Sequence, residues 1–505
     1  MQASSYRNKW NALKEKKIDP EAVGRLSREI AYSFLDYYLK DCRYEKEYID
    51  LLCEMTTFSE DTQLTSPGAQ ALFGIIIESL CDDFEELQTL TYNQVMTQII
   101  SYCRQIPGGR ELDLTLRDFG IYSSNELLDR IQKIRLDSSP LPCNEDIQKI
   151  FLLSRVTIGA DVAVTSVFMQ RLMKIYPEGE IVLIGGRNLS ELYGGNPRIQ
   201  IRSVSYSKKG GLLQRLSSWH LVLQIIKEEL ASCPIEKAIL VDSDSRLSQL
   251  GILPLFPLDR YFYFDSRSDT SFSKQMSMAE LANSWLDDIS GQRDFCFPKV
   301  WIPGSYLEGA TRFCKKLRDN GAQKIIIINF GVGANPRKRV GRPLEEKLVM
   351  TLLRAPNTVI VLDKGLGEEE LVSANGLIGL VEKRGYPVYH SFFDSGTNAE
   401  INWGVIGLQS RIGQMGALIA KGDEFIGYDS ACQHIAAAVG TPCVTIFAGS
   451  NNMRFVRRWS AFGPKNSNIV HVDTLSDPSS IEVDDIISRI MQVRSLQGGE
   501  CAGTS

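Results

Sequence analysis

Two kinds of apolar spacing divide this chain. From the start to about residue 140, apolar side chains recur at helical intervals. Arg28 to Lys40 carries Ile30, Phe34, Tyr37 and Tyr38. Ala69 to Leu87 places Leu72, Ile76, Leu80, Phe84 and Leu87 at the same spacing, and Leu90 to Cys103 repeats it with Val95, Ile99 and Tyr102. Asn125 to Leu136 predicts one more helix. Residues 1–140 are therefore expected to form an all-helical domain that serves oligomerisation or docking, or that binds a protein acceptor or a regulator.

Ser138-Ser139-Pro140-Leu141-Pro142-Cys143 is a linker by composition. Beyond it the pattern changes to short apolar runs between turns. Ile147 to Ser154 predicts a buried strand, Thr157 to Asp161 a turn, Val162 to Tyr176 a helix, and Glu180 to Gly186 a second strand. Such a βαβ unit opens a parallel sheet. Lys208-Lys209-Gly210-Gly211 reads as a flexible basic loop, Arg215 to Leu230 as an amphipathic helix and Ala238 to Val241 as a strand. Asp242-Ser243-Asp244-Ser245-Arg246 follows at the carboxyl end of that strand, where open α/β sheets bind ligands. A local turn holding an ion pair is the favoured reading; charges facing an acceptor are the other. The carboxylates form no complete metal ligand set.

A second sheet starts at Gln323 to Phe330, followed by Gly331-Val332-Gly333-Ala334-Asn335 and Pro336-Arg337-Lys338-Arg339. A glycine turn after a strand allows close backbone approach to a ligand, and the basic residues after it can neutralise phosphate. This is less than the dinucleotide fingerprint, which needs a third glycine and an immediate helix. Thr358 to Asp363 is the next strand, and Lys364 to Glu370 turns into a helix whose early glutamates suit the helix dipole or a ribose hydroxyl. Leu408 to Ala420 reads as a helix. Asp423 to Gly427 is a strand, Asp429 and Ser430 open a helix, Gly440 and Pro442 stop it, and Cys443 to Phe447 is a buried strand. The first turn of that small-residue helix offers unpaired N–H groups and a positive dipole end, a place for phosphate. Ile481 to Val493 is the last helix, and residues 496–505 read as a disordered tail.

Composition adds exclusions. The chain has 505 residues, ordinary hydrophobic content of 43% and a net charge of −5, which leaves no basic footprint for nucleic acid. No apolar run approaches the roughly 20 residues of a membrane span. The N-terminus lacks a secretory apolar segment, and the eleven cysteines occur singly. A cytoplasmic protein with reduced thiols is expected. Four histidines argue against a histidine-based metal site.

The run Asp429-Ser430-Ala431-Cys432-Gln433-His434-Ile435-Ala436-Ala437-Ala438-Val439-Gly440-Thr441-Pro442, with an apolar strand ending in Phe447, resembles the C-terminal signature of the ADP-heptose:lipopolysaccharide heptosyltransferases. That family, glycosyltransferase family 9, usually has Gly-Pro where this chain has Ala431-Cys432. The βαβ unit resembles the family's opening segment, with one residue inserted in the turn Gly159-Ala160-Asp161. The resemblance implies a GT-B fold: two Rossmann-like doubly wound domains facing a cleft, an acceptor domain at about 147–310 and a donor domain at 322–495, behind the helical domain. It implies an inverting, metal-independent glycosyltransferase with no cofactor. The donor would be a nucleotide-diphosphate sugar, an ADP-sugar first. The acceptor hydroxyl would lie on a glycan, a lipid-linked glycan or a protein.

In that reading Asp161 is the catalytic base, or else only the cap of its helix. Gly331, Gly333, Lys338, Glu368, Asp429, Ser430 and His434 bind the donor, with Arg337 and Arg339 as rivals to Lys338. The helix dipole, Ser430, His434 and Lys338 would stabilise the departing diphosphate. For His434 the alternative is a structural histidine bonded to a carbonyl. Two other functions fit the same architecture: a sugar-nucleotide epimerase, and a non-catalytic nucleotide-sugar sensor or scaffold with the helical domain as output. The helical domain also offers a route to homo-oligomers.

Overall fold

The computed structural model describes residues 2–499 except 17, 82–83, 137–138, 144, 208–209, 268–274, 334, 396–399 and 477–480. The basic pair Lys208-Lys209 and Ala334 of the glycine turn lie outside the described residues. The helical region comprises α1 (Ala3–Lys14), α2 (Pro20–Asp41), α3 (Lys46–Met55), α4 (Thr62–Ala71), α5 (Glu86–Gln105), α6 (Arg110–Asp118) and α7 (Ser124–Leu136). The single helix expected over Ala69 to Leu87 does not form. The chain leaves α4 through a π-helical stretch at Leu72–Ile77, breaks at Phe84 with φ +55°, and puts Leu87 into α5. The apolar period survives the break, so the spacing alone concealed it.

The first sheet is parallel, ordered β3-β2-β1-β4-β5. Its strands are β1 (Lys149–Leu153), β2 (Glu180–Gly185), β3 (Ile199–Ser203), β4 (Ala238–Asp242) and β5 (Tyr261–Tyr263). After β1, a short helix α8 (Ile158–Ala160) runs through a π turn (Asp161–Thr165) into α9 (Ser166–Ile175). Then come α10 (Leu189–Tyr193), α11 (Leu212–Leu230) and α12 (Met278–Ser290), and α13 (Gly304–Asp319) leads into the second sheet.

That sheet, also parallel, is ordered β12-β11-β10-β6-β7-β9-β8. Its strands are β6 (Lys324–Asn329), β7 (Thr358–Asp363), β8 (Val388–Phe392), β9 (Gly404–Gln409), β10 (Glu424–Tyr428), β11 (Cys443–Phe447) and β12 (Ser467–His471). Its helices are α14 (Arg342–Leu352), α15 (Glu368–Lys383), α16 (Ile412–Lys421), α17 (Ala431–Val439), α18 (Met453–Arg458) and α19 (Val483–Gly499). Two expectations are corrected here. Leu408 belongs to β9, and the helix begins only at Ile412. Residues 496–499, expected in a disordered tail, continue α19; residues 500–505 lie outside the described ones.

Both sheets are doubly wound α/β, with a helical region in front, as the sequence implied. The strand order reverses between β1 and β4 in the first sheet and between β6 and β10 in the second. Such switch points open crevices at the carboxyl ends of the strands. One apolar cluster joins a face of each sheet: Leu152 and Val241 of the first, Ile325 and Phe425 of the second. Another joins Ile131 and Trp219 to Phe151 and Leu240, so the helical region and the first sheet share a core.

Candidate functional site

The carboxyl ends of the two sheets meet where α8, which follows β1, touches α17, which follows β10. Gly159 marks the contact. A Cβ there would lie 3.0 Å from Cδ2 of His434 and 3.3 Å from Cα of Ala431. Close by, the backbone N–H of Gly413 in α16 donates to Oε2 of Glu191 in α10 at 3.0 Å.

On the second-sheet side, β6 ends at Asn329, and Phe330 and Gly331 follow. A 3₁₀ turn at Pro336–Lys338 follows, capped by the Asn335 side chain. The turn carries Lys338 across the switch point, where its Nζ pairs with Oδ2 of Asp429 at 2.5 Å. Asp429 is buried, and it also accepts from Nε2 of Gln433, whose Oε1 accepts from Thr445 at 2.9 Å. Gln433 thus holds the aspartate towards the lysine. Ser430 occupies the N-cap position of α17, but its side chain makes no capping bond. His434 is buried on the same helix, with its ring 6.2 Å from the Trp459 ring. Burial lowers its pKa to about 4, opposed by Asp429. It is therefore a neutral imidazole at neutral pH, able to donate or accept a hydrogen bond but not to serve as a cation.

The two rivals of Lys338 are placed differently. Arg337 is exposed. Arg339 is spent on Glu345, at 2.5 Å from Nε to Oε1, and on Oγ of Ser373. Those residues line a pocket at the ends of β6 and β7 together with Asp363, Lys364, Gly365 and Glu370. Burial raises the pKa of Asp363 to about 6, although Gly365 N–H and the Asn329 amide donate to it. Of the glutamates that open α15, Glu370 lines this pocket and Glu368 is exposed. A Cβ on Gly331 would stand 2.9 Å from Oε1 of Glu370, and one on Gly365 would stand 2.3 Å from its Oε2. The glycine turn therefore makes room for a side chain of the protein itself. Gly333 has φ +61° and open space around it.

On the first-sheet side, Asp161 lies inside the helix, not in the turn before it, and it does not cap the helix. Its carboxylate accepts from Ser154 Oγ at 2.7 Å, from the Arg155 N–H at 2.7 Å and from Thr165 Oγ1 at 2.8 Å. It is 1% exposed, and burial raises its pKa to about 6 against those bonds. In this arrangement Asp161 ties the loop after β1 and faces no open space. Asp242 and Asp244 adopt the local turn: Asp242 accepts from the Ser245 N–H, and Asp244 pairs with Arg267 and Arg155.

Sequence reasoning missed Arg155, Trp459, Glu370 and Gln433. The Arg155 guanidinium donates to the Ser243 carbonyl and to Ser266, and lies 5.8 Å over the ring of Trp459. A cation directly after a buried strand was the available signal for Arg155; nothing in the sequence marked Trp459. Among the described residues, no group of three or more His, Cys, Asp or Glu could hold a metal ion, and no helix is long and apolar enough to cross a membrane.

Residues 404–481, from β9 to the chain beyond β12, match the sequence model of glycosyltransferase family 9 (heptosyltransferase). This is the family that the Asp429-Ser430 pattern resembles. Similar solved structures include the glycosyl transferase family 9 protein of Veillonella parvula DSM 2008, at 15% identity over 69% of this chain and 98% of that one, with a TM-score of 0.49. E. coli ADP-heptose LPS heptosyltransferase II is 13% identical over 68% of this chain and 98% of its own, with a TM-score of 0.45. E. coli heptosyltransferase WaaC with ADP is 11% identical over 68% and 100%, with a TM-score of 0.44. No curated protein matches this chain.

Proposed function

We propose that this chain, heptosyltransferase-like through its glycosyltransferase family 9 segment at residues 404–481, is an inverting glycosyltransferase. It would move a sugar from a nucleotide-diphosphate donor to an acceptor hydroxyl on a glycan, a lipid-linked glycan or a protein. The observation that carries the reading is the Lys338–Asp429 pair across the β6/β10 switch point, beside the first turn of α17. A diphosphate there would meet the N–H groups and positive end of α17, the Ser430 hydroxyl and the Lys338 ammonium. These groups favour charge that develops as the diphosphate leaves. His434 contributes a neutral hydrogen bond. The pocket at Asp363 and Glu370, about 20 Å³ in this closed arrangement, would widen to take the nucleoside, with Glu370 rather than Glu368 towards the ribose hydroxyls. Asp161 is the base of this reading. A carboxylate with its pKa near 6 suits proton abstraction near neutral pH. To reach an acceptor it must be uncovered by movement of the α8 turn away from α17. The cysteines, scattered singly along the sequence, fit a reducing, cytoplasmic setting. The helical domain is the surface for self-association.

The engaged carboxylate of Asp161 favours one second reading, a nucleotide-sugar sensor that binds without transferring. A thermal-shift and calorimetry screen with ADP-, GDP-, UDP- and dTDP-sugars, on wild type and His434→Ala, tests the donor site. ADP-sugars come first, on the strength of the family resemblance. A donor that binds the native state raises Tm. Stabilisation of wild type but not of the variant supports the site. No binding at millimolar donor sinks it. Release of nucleoside diphosphate with acceptor separates transfer from sensing.

A further inference from the structure

The helical region belongs to the first sheet. Besides the shared apolar core, Arg130 of α7 donates to the carbonyls of Gly251 and Ile252, and Arg135 pairs with Asp265 at 2.7 Å. Arg267 lies 5.0 Å over the ring of Tyr92, and Arg215 lies 4.1 Å over that of Phe73. These contacts make the helices and the acceptor sheet one body.

The same region also reaches the donor domain, through the turn at Phe84 and Glu85. Phe84 is 4% exposed, although it stands on a loop between helices. Its φ of +55° is uncommon for a bulky residue and persists where contacts over-determine it. Those contacts come from α18. The Phe84 ring is 6.4 Å from that of Phe455, and the Arg458 guanidinium lies 5.3 Å over it. Nη1 of Arg454 donates to the Phe84 carbonyl at 2.6 Å and pairs with Oε1 of Glu85 at 2.9 Å.

What α18 does explains why this grip matters. Its Phe455 lies 5.8 Å beneath Nζ of Lys338 and packs on Phe447 at the end of β11. The residue after α18 is Trp459, between Arg155 of the acceptor domain and His434 of the donor domain. The acceptor body therefore grips α18 at both ends. In this grip Gly159 lies against the first turn of α17, over the N–H groups a diphosphate would need.

We propose that the Phe84–Glu85 turn is a latch. It holds the donor domain shut on the acceptor domain, and its release from α18 governs entry of the nucleotide sugar. The assignment of a donor to α17 rests on the function proposed above; the latch itself does not.

The test is hydrogen exchange by mass spectrometry on the full chain without ligand, in wild type, Phe84→Gly, Glu85→Arg, Arg454→Glu and the Glu85→Arg/Arg454→Glu double variant. Phe84→Gly relieves the left-handed backbone and removes the ring, so exchange in α8 and in the first turn of α17 should rise by at least about 10-fold. Loss of the charge pair should give about 2–5-fold in Glu85→Arg, and more in Arg454→Glu, which also loses the bond to the Phe84 carbonyl. The double variant restores the charge pair but not the bond to the Phe84 carbonyl, so it should fall below Arg454→Glu and stay above wild type, and α5 should stay protected throughout. Unchanged exchange at α8 and α17 in Phe84→Gly, with α5 still protected, overturns the latch. So does a rise confined to the helical region. If exchange rises as expected but no nucleotide sugar binds any variant, the latch stands and the donor reading fails.

Discussion

Replacing Lys338 with methionine should produce two separable losses. The side chain is 25% exposed and its partner Asp429 only 5%, with 2.5 Å between Nζ and Oδ2. Two unit charges about 4 Å apart at an effective dielectric near 20 attract by about 4 kcal/mol. The net loss is smaller, because the ammonium remains partly hydrated and Asp429 keeps its Gln433 bond. Stranding a mostly buried carboxylate costs about 1–3 kcal/mol. For a domain of this size that lowers Tm by about 2–4 °C per kcal/mol. The second loss is in donor binding. A charge-assisted hydrogen bond to the diphosphate contributes about 1.5–3 kcal/mol, so Kd for the donor should rise by about 10–150-fold. Calorimetry with the donor that stabilises wild type measures it. The Lys338→Met/Asp429→Asn double variant separates the two effects. It removes the stranded charge and should recover most of the Tm, but not the affinity. Arg337→Ala, on an exposed side chain, should leave affinity within about 2-fold. If the double variant binds donor like wild type, Lys338 only neutralises Asp429 and the diphosphate contact is refuted.

Four further outcomes follow from the same geometry. Glu370→Gln should weaken donor binding by about 10-fold, while Glu368→Ala should leave it unchanged in the same titration. His434 should make the fold acid-sensitive: its folded pKa near 4 lies below the ordinary 6.5, so the unfolded chain binds the extra proton between those values. Stability contributed by the neutral imidazole is present above pH 6.5 and is lost as pH falls towards 4, by about 3 kcal/mol in all, and His434→Gln should flatten that slope in denaturant titrations. Asp161 has the opposite sign: its folded pKa near 6 exceeds 3.8, so wild type loses stability as pH rises through that window. Asp161→Asn should remove this loss and lower kcat by about 10²–10⁴ if the group is the base; a changed pH profile with unchanged kcat would leave it only a loop tie. Gly159→Ala, whose Cβ meets His434 and Ala431 at 3.0 and 3.3 Å, should destabilise the domain contact by about 1–3 kcal/mol, read as faster exchange in α17.

Buried parallel strands were legible because both of their faces are covered, and they therefore read as unbroken apolar runs. Ile325 to Ile328 and Val359 to Leu362 are such runs. β9 was harder: Gly404 to Gln409 is separated from α16 only by Ser410 and Arg411, and Leu408 fits either element. The helical period through Ala69 to Leu87 hid a left-handed residue, since a backbone turn held by contacts 370 positions away leaves no local trace. Within the site, Asp429, Ser430 and His434 share one segment and could be read together. The choice between Glu368 and Glu370 could not be made locally. Both occupy the first turn of α15, and only the absent side chains of Gly331 and Gly365 select Glu370. Arg155 and Trp459 meet from opposite domains, so neither marks the other along the chain.

Ala431 and Cys432, which stand where the family has Gly-Pro, and Gln433 next to them have local work in this fold. Gln433 spans from Asp429 to Thr445, all three buried, so it keeps the aspartate aimed at Lys338. Cys432 fills an enclosed position whose thiol burial pushes well above its ordinary pKa, which makes it packing and not a nucleophile. Ala431 stands against Gly159, where an added Cβ is already tight. A larger residue at position 159 or 431 would press the two domains apart at the first turn of α17. Across the interface a small residue on α17 meets a glycine on α8, and within α17 the glutamine ties Asp429 in place. The charge of Asp429 is paired and the α8–α17 contact is filled, so in this resting arrangement the two domains are held closed over the first turn of α17.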